Sequence, residues 1–135
     1  MPGDLHTHTN FSDGSSDIEL LPLLARRAGL TSLAVSDHDT ELCIQYAQQH
    51  PVDQGVRLIP AVEMTGFDTR RGRRVHMLCY CPELTPGLLA FFQLMKDRRN
   101  AVTSLSIDEL EKMYPQFTRA AAKAFSRRSG VTYKT

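Results

Sequence analysis

The stretch Asp4-Leu5-His6-Thr7-His8 places two histidines one residue apart at the end of a short strand-like opening of the chain. Successive side chains on a β-strand alternate between its two faces, so we expect His6 and His8 to point the same way, with Thr7 opposite. Two imidazoles on one face can hold one divalent cation, and imidazole with carboxylate suits zinc, iron or manganese better than calcium or magnesium. The opening segment therefore predicts a metal site at the mouth of a strand.

The other histidines follow a similar pattern. His38 lies in Ser36-Asp37-His38-Asp39, directly after an apolar run, and His76 lies within another such run. The remaining histidine, His50, precedes Pro51 in a polar turn and is interpreted as solvated. One histidine pair alone is weak support, because single histidines are usually surface residues or hydrogen-bonded core residues. Four histidines in strand-like runs, with acidic residues beside three of them, favour the metal site.

The composition is that of an ordinary soluble domain. The chain has 135 residues, of which 41% are hydrophobic and 23% charged, so it is one domain or part of one and is long enough to form a core. A net charge of +1 argues against a surface dedicated to nucleic acid. No apolar run is long enough to span a bilayer and the N-terminal residues lack a secretory pattern, so we expect no membrane association and a cytoplasmic location. The three cysteines, Cys43, Cys79 and Cys81, are interpreted as small core residues and not as a disulfide framework.

Hydrophobic periodicity predicts strands that alternate with helices in the first half of the chain. The predicted strands are residues 3–6, 31–36, 56–64 and 73–81, and the predicted helices are 20–28, 40–49, 84–99, 106–113 and 117–128. Ser16 and Glu19 have the form of a capping box before the first helix, and Pro60 indicates a bulge or an edge in the third strand. Short links between alternating strands and helices imply parallel strands joined by helical crossovers.

In such a sheet, active sites gather at the carboxyl ends of the strands. His6, His8, His38 and Glu63 all fall at or just past predicted strand ends. We therefore expect separate segments of the chain to deliver metal ligands to one face of the sheet.

The part of the chain after Pro82 is predicted to be helical. Its apolar residues are spaced as a core-facing stripe and are Leu88, Leu89, Phe92 and Met95. Its basic residues are of a type that attracts phosphate but are interpreted as a solvated face; they are Arg98, Arg99, Arg119, Lys123, Arg127 and Arg128. The basic turn 70–74 receives the same interpretation.

Four motifs in order carry a resemblance to a known family. They are DLHTHTNFSDG at residues 4–14, SDHDT at 36–40, AVEM at 61–64 and RVHML at 74–78. With them the sequence resembles the PHP superfamily (polymerase and histidinol phosphatase), and it looks most like the small stand-alone phosphoesterases of that family that act on nucleotide-type substrates. The resemblance covers roughly residues 4–80. It implies an α/β fold, the N-terminal part of a distorted (β/α)7 barrel, followed by a helical segment.

The resemblance also implies two or three divalent metal ions, zinc, manganese or iron, at the mouth of the barrel. Their ligands would be His6, His8, Asp13, His38, Glu63 and His76. The first two of these would hold one ion, Glu63 would bridge to a second ion bound by His76, and Asp13 and His38 would bind a third.

Asp37 and Asp39 are expected to support these ligands more than to bind the ions, by orienting an imidazole or by capping the next helix. The implied activity is hydrolysis of a phosphate ester by metal-activated water, which needs no serine or cysteine nucleophile. The expected substrate is a nucleotide or another phosphorylated small molecule, including a simple phosphomonoester.

The sequence departs from the family pattern in its second half. Family members carry a later histidine and a C-terminal Asp-x-His, whereas residues 82–135 contain no histidine. Several ligand positions and strands of the expected barrel are therefore missing, and the barrel is expected to be incomplete in this chain. We expect two parts, a metal-binding α/β half-barrel over residues 1–82 and a helical insert or cap over residues 83–135.

Two explanations of the incomplete barrel remain open. Either the chain is a truncated piece of a larger enzyme, or a second copy completes the barrel as a homodimer. We favour truncation because residues 131–135 resemble the start of another element. The alternative function is a catalytically inactive or structural PHP-like metal-binding module or fragment. A metal-dependent amidohydrolase is disfavoured, because none of the predicted strands contains the lysine that bridges the metals of such enzymes.

Overall fold

Three of the five strands in the sheet run parallel to one another. The computed structural model describes residues 2–124 of the chain. Its strands are β1 (Gly3–Thr7), β2 (Ser32–Val35), β3 (Val52–Asp53), β4 (Val56–Asp68) and β5 (Arg73–Tyr80). Its helices are α1 (Leu21–Arg27), which follows one 3-10 turn (Ile18–Leu20), α2 (Leu42–Gln49), α3 (Pro86–Met113) and α4 (Arg119–Ala124). Within this range no helix is both long and apolar enough to cross a membrane.

The predicted parallel arrangement is confirmed. β2 lies between β1 and β4 and runs parallel to both, with Leu33 opposite Leu58. α1 and α2 lie in the crossovers that parallel strands need. Leu33, Ala34 and Val35 are at most 4% exposed, because a central parallel strand is covered on both faces. β3 and β5 extend the sheet by pairing antiparallel with β4.

Pro60 stands inside β4 and not at the expected bulge or edge. β4 changes its antiparallel partner near this residue, from β3 to β5. Leu58 donates its N–H to the Pro51 carbonyl before the change, and the Pro60 carbonyl accepts the N–H of Cys81 after it (2.7 Å). The proline nitrogen, which carries no hydrogen, therefore faces the gap between the two partners, where no ladder hydrogen bond is lost.

β4 and β5 form the predicted hairpin. Its turn spans residues 69–72, and Gly72 has a φ of +64°, a left-handed conformation that favours glycine. Asp68 Oδ1 accepts the N–H groups of Arg70 and Arg71 (3.1 Å each), which stabilises the turn from inside.

The start of α1 differs from the predicted capping box. Asp17, not Ser16, precedes the first helical turn, and no side chain caps it. The Ser16 carbonyl instead accepts the N–H of Asn10 (3.0 Å), and the Asp17 carboxylate accepts a hydrogen bond from the Asn10 amide. Contacts with the preceding loop thus replace the local capping contact. The predicted end at Gly29 is confirmed, and this glycine has a φ of +78°.

α3 is one continuous helix where two were expected. Thr85 caps its start by accepting the N–H of Leu88 (3.2 Å) on its side-chain oxygen. Ser106, expected to begin a second helix, instead donates its hydroxyl to the Val102 carbonyl (3.1 Å) within the helix. The residue that was expected to start a second helix therefore lies inside α3.

The first half of α3 packs on the core. Phe92 is 2% exposed and lies with Leu88 against the apolar cluster, as the predicted stripe required, whereas Leu89 is 40% exposed. Of the helix predicted over 117–128, the structure has the part in α4. Residues 125–128, and the element expected at 131–135, lie outside the described residues.

The cysteines occupy three different environments. Cys43 is buried and its thiol donates to the Ala61 carbonyl (3.2 Å), and burial raises the pKa of the thiol to about 12. Cys79 packs against the core cluster. The core expectation is wrong for Cys81, which is exposed with a φ of +49° because β5 ends at Tyr80.

The substitution Phe92→Ala should detach α3 from the core. Removing a buried phenyl ring costs about 3–5 kcal/mol of unfolding free energy, because apolar burial is lost and a cavity remains. Leu94→Ala, on the same helix and 46% exposed, is the matched control and should cost less than about 1 kcal/mol. Urea unfolding followed by circular dichroism measures both. Equal losses would show that α3 does not dock through Phe92.

Candidate metal centre

Histidine and carboxylate side chains converge beyond the carboxyl ends of the parallel strands. The β2–β4 ladder continues past β2 as a bridge between His38 and Glu63. The Glu63 N–H donates to the Asp37 carbonyl (3.2 Å), and the Glu63 carbonyl accepts the Asp39 N–H (3.1 Å). Because β1 runs parallel to β2, the histidine pair at its end reaches the same edge of the sheet.

Glu63 lies at the centre of the cluster. Its side chain is 7% exposed, and Oε2 lies 2.9 Å from Nε2 of His6 and 3.0 Å from Nε2 of His8. Nε2 of His38 is 3.8 Å from the same oxygen. The other oxygen, Oε1, lies 2.9 Å from Nδ1 of His76. Four imidazoles thus divide between the two oxygens of one carboxylate.

The protonation states of the cluster suit ligation. Burial raises the pKa of Glu63, but the hydrogen bond from His6 and the neighbouring imidazoles outweigh it, so the pKa lies below its usual range. Burial lowers the pKa of His38 more than the nearby Glu63 carboxylate raises it. At neutral pH the carboxylate is therefore ionised and the His38 ring is neutral, with a lone pair to donate. These are the forms that bind a metal ion.

Asp13 extends the cluster on the other side of His8. Its Oδ1 is 3.5 Å from Nδ1 of His8 and 4.0 Å from Nε2 of His38. The ring of His38 has its centroid 4.8 Å from that of His8 and 4.8 Å from that of His76. Donor atoms lie within 4.8 Å of one another in three overlapping groups, which are His6 with His8 and Glu63, His8 with Asp13 and His38, and His38 with Glu63 and His76.

The structure thus brings together all six residues predicted as ligands. Each of the three groups offers two imidazole nitrogens and one carboxylate oxygen. This donor set suits zinc, manganese and iron. The chemistry of the residues present therefore fits the divalent ions that the motifs imply.

Asp37 supports the loop between His8 and Asp13 and makes no direct hydrogen bond to an imidazole in the described part of the chain. Its fully buried carboxylate accepts hydrogen bonds from the N–H of Thr9 (2.7 Å), the hydroxyl of Thr9 (2.6 Å) and the hydroxyl of Ser12 (2.5 Å). Charge-assisted hydrogen bonds to a buried carboxylate hold their donors firmly in place. Asp37 therefore acts behind the predicted ligands by fixing the backbone that carries them.

Sequence reasoning misses three residues of this loop, Thr9, Ser12 and Gly14. Thr9 and Ser12 are at most 3% exposed, and Ser12 Oγ also lies 3.4 Å from Nδ1 of His8, which links that imidazole to Asp37. A side chain at Gly14 would approach the His8 carbonyl to 2.3 Å, so the loop closes only with glycine there. The available signal was the Ser-Asp-Gly sequence itself.

Asp39 joins the segment after β2 to β4 and α3. Its Oδ1 accepts the N–H of Thr65 in β4 (2.7 Å), and its Oδ2 accepts a hydrogen bond from Nη2 of Arg99 in α3 (3.0 Å). The carboxylate is 2% exposed, and Glu41, not Asp39, precedes α2, so the expected helix cap is absent. Arg99, interpreted from the sequence as part of a solvated face, is instead the ion-pair partner of the residue beside His38.

The sheet curls around the cluster. Tyr80 in β5 donates its hydroxyl to the Leu5 carbonyl in β1 (2.9 Å), although β2 and β4 lie between these strands in the sheet. The cluster therefore lies on a concave face. The side chains of His6 and His76 are 50% and 40% exposed, in contrast to 7% for Glu63, so the cluster is open on the side of these two rings.

Comparisons with known proteins agree with the motifs. The family model of the PHP domain matches residues 4–130. The phosphoribosyl 1,2-cyclic phosphate 1,2-diphosphodiesterase of Eggerthella lenta is 31% identical over 135 residues, which are 99% of this chain and 52% of that protein. The 5'-3' exoribonuclease Rnm of Escherichia coli is 30% identical over 132 residues, 96% of this chain and 44% of that protein. The chain thus spans about half the length of these relatives.

A solved structure has the same fold. The crystal structure of a protein described as a metal-dependent phosphoesterase, from Bifidobacterium adolescentis, matches with a TM-score of 0.76 and 29% identity. The match covers 84% of this chain and 40% of that chain. The predicted α/β fold is therefore confirmed, with an open, parallel-rich sheet that corresponds to part of such a barrel and a helical segment after it.

The substitution Asp37→Asn should loosen the loop that carries Asp13. Asparagine keeps the size of the side chain but replaces one accepting oxygen by a donor, so a buried donor in Thr9 or Ser12 loses its partner. We expect unfolding free energy to fall by about 1–3 kcal/mol and Mn²⁺ affinity to fall roughly 10–100-fold. Urea unfolding and titration calorimetry measure the two effects. Asp68→Asn, in the β4–β5 hairpin, is the control for metal affinity, and unchanged affinity in Asp37→Asn would contradict the positioning by this carboxylate.

The substitution Arg99→Gln should weaken the attachment of α3 to the segment after β2. It leaves the buried Asp39 carboxylate without its ionic partner. Because the arginine side chain is 35% exposed, water replaces part of the contact, and we expect a loss of about 1–2 kcal/mol in unfolding free energy. The neighbouring Arg98→Gln, on an exposed residue, is the matched control. Strictly additive effects of Arg99→Gln and Asp39→Asn in a double-mutant cycle would show that the two residues do not interact.

Proposed function

This chain belongs to the PHP domain family, and we propose that its histidine–carboxylate cluster is the metal centre of a phosphoesterase. The observation that carries the proposal is the convergence of four imidazoles on the two oxygens of Glu63, with Asp13 beside them. These imidazoles pack on one another at the open side of the sheet and add nothing to the apolar core. Such an arrangement favours a functional explanation over a structural one.

We assign the ligands in the order that the motifs suggest. His6 and His8 would hold one ion, and Glu63 would be shared with a second ion held by His76. Asp13 and His38 would hold a third. The division of the Glu63 oxygens between the His6–His8 side and the His76 side supports the shared position. Bound zinc, manganese or iron would lower the pKa of water and offset the negative charge of the phosphate.

The residues of the chain prepare the site for this chemistry. The ionised Glu63 and the neutral His38 offer charge and lone pairs without first losing a proton. The buried Asp37 holds the loop so that Asp13 keeps its place. The Ser12 hydroxyl near His8 is buried and donates to Asp37, and the Cys43 thiol is buried and donates to a carbonyl. Neither group is free to attack a substrate at the cluster, which supports water as the attacking group.

The proposed substrate is a phosphate ester of nucleotide type. The similarity to a cyclic phosphate diphosphodiesterase and to a 5'-3' exoribonuclease supports this class over a small phosphomonoester. The proposed organisation is a metal-binding half-barrel over residues 1–82 with a helical cap over 83–135. The start of α3 at Pro86 and its docking on the core through Phe92 support this division.

A catalytically inactive metal-binding module is the second candidate. In the part of the chain that the structure describes, the donors lie on the concave face of an open sheet, and the side chain of His6 is 50% exposed. On this view the metal ligands of one chain are too few for catalysis, and a second copy of the chain in a homodimer could supply the missing groups. Activity and oligomeric mass of the metal-loaded chain separate these two candidates.

The purified 135-residue chain, loaded with Mn²⁺, should hydrolyse bis(p-nitrophenyl) phosphate, and a chelator should remove this activity reversibly. His8→Ala and Glu63→Gln each remove a central donor, so they should weaken Mn²⁺ binding by more than the roughly 10–100-fold expected for a supporting residue. His50→Ala is the matched control, because this histidine is exposed and lies outside the cluster. Calorimetry, absorbance at the nitrophenolate band and light scattering give metal affinity, rate and mass.

Two outcomes would contradict the proposal. Hydrolysis that survives chelation or Glu63→Gln would place the activity outside this cluster. Stoichiometric Mn²⁺ without hydrolysis of the diester or of p-nitrophenyl phosphate would favour the inactive module.

A further inference from the structure

The hairpin of β4 and β5 continues beyond the metal centre over residues 65–76, a segment that we call the arm. In its register Thr65 stands opposite His76, and Phe67 stands opposite Arg74. Directly paired residues of antiparallel strands share a face, and so do alternate residues of one strand. Phe67 and Arg74 therefore lie on the face that carries His76, next in line after the cluster.

The arm concentrates positive charge at its turn. Arg70, Arg71, Arg73 and Arg74 are all exposed, and the nearby Asp68 pairs with Arg71 (3.1 Å). Within residues 2–124, the other three arginines have no ion-pair partner. The whole chain has a net charge of only +1, so composition conceals this local excess. The arm therefore carries a local positive charge suited to nucleic acid, although the net charge of the whole chain is close to zero.

Phe67 distinguishes the arm from an ordinary solvated turn. It is 64% exposed and stands beside Arg74 on the face that leads away from His76. An exposed aromatic ring stacks on a nucleic-acid base, and an unpaired guanidinium binds a phosphate in two-pronged fashion. Aromatic and basic side chains interleaved in this way are the chemistry of a surface for single-stranded nucleic acid.

The length of the arm determines which substrates can reach it. Strand residues rise about 3.3 Å each, so the Arg74 backbone lies about 7 Å beyond His76 and that of Arg73 about 10 Å beyond it. A small ester at the metal centre does not extend to the turn. A strand of several nucleotides does.

We propose that the arm binds a single-stranded polynucleotide that runs from the metal centre along the face of Phe67 and Arg74. The inference rests on the proposed function, because it extends the substrate of the same site. One unstacked base packs on Phe67, the following phosphate passes Arg74 on the same face, and further phosphates reach the positive charge of the turn at Arg70 and Arg73. A duplex fits this surface less well, since its bases are already stacked on one another and leave none to cover the ring.

Binding of a fluorescein-labelled uridine oligonucleotide about twelve nucleotides long tests the proposal, since single-strand sites cover roughly 4–16 nucleotides. Phosphorothioate links slow its hydrolysis during the measurement, which follows anisotropy of the Mn²⁺-loaded chain at several salt concentrations. The arm variants are Phe67→Ala and the triple substitution Arg70→Ala, Arg73→Ala, Arg74→Ala. The matched controls, at exposed residues elsewhere, are Tyr114→Ala and the triple substitution Arg26→Ala, Arg27→Ala, Arg57→Ala.

The triple arm variant should bind at least roughly tenfold more weakly at low salt. The slope of log affinity against log salt should become shallower by about 2, because each phosphate contact to a single strand contributes about 0.7 to that slope and three arginines are removed. Phe67→Ala should reduce the affinity for the oligonucleotide at least about fivefold, as expected for the loss of one stacked base. Both controls should bind as the unsubstituted chain does. Circular dichroism of each variant confirms that the fold is kept.

Three outcomes would overturn the proposal. They are an unsubstituted chain that does not bind the oligonucleotide, a charge-matched control that loses as much affinity as the arm variant, and a Phe67→Ala effect no larger than that of Tyr114→Ala. Hydrolysis of bis(p-nitrophenyl) phosphate by the unsubstituted chain tests the proposed function separately, because this ester is too small to reach the turn. Arm-dependent binding without that hydrolysis would support the arm and contradict the phosphoesterase, and hydrolysis without arm-dependent binding would do the reverse.

Discussion

The register between β2 and β4 is the constraint on which the site depends. Leu33 pairs with Leu58, and the same parallel ladder continues to His38 opposite Glu63. A slip of one residue would turn Glu63 away from the imidazoles and bring its neighbour Val62, which is fully buried, onto the concave face. Apolar packing between β2 and β4, away from the cluster, therefore fixes the position of the Glu63 carboxylate, and the histidines do not have to position it.

Two buried carboxylates of the site are satisfied in different ways, and the difference separates scaffold from chemistry. Asp37 accepts hydrogen bonds from a backbone N–H and two hydroxyl groups, all of which stay donors at any ordinary pH. Glu63 instead faces imidazoles, whose ring nitrogens can give up a proton and donate a lone pair. A carboxylate surrounded by fixed donors builds a loop, whereas one surrounded by titratable rings is suited to share a cation with them.

The arginines around the cluster show how context decides the use of one side chain. Arg99 reaches from α3 to the buried Asp39 and joins the helix to the segment that carries His38. Arg74 lies on β5, two residues before His76, and meets no carboxylate within the described residues. The first charge is neutralised and holds the fold together. The second remains available to an anion from outside.

The sequence by itself determined the α/β order, the parallel core and the membership of the cluster. His6, His8, His38 and Glu63 could be predicted to meet because strand alternation is a local property, and because the carboxyl ends of parallel strands share one edge. His76, on the antiparallel strand β5, was expected only from the resemblance to the family. Gly29 could likewise be read as a helix end from its own conformational freedom.

Only the tertiary structure decided which polar groups found which partners. Ser16 does not cap a helix, and its carbonyl accepts a hydrogen bond from Asn10 instead. Ser106 does not begin a helix but lies inside α3. Arg99 binds a carboxylate 60 residues away in the sequence. A polar side chain binds whichever complementary group the fold brings within about 3 Å, and local sequence does not contain that choice. Hydrophobic periodicity and the ends of helices depend on neighbouring residues, so a sequence displays them directly. The hydrogen-bond partner of a polar side chain depends on residues far along the chain and is decided only once the elements have packed.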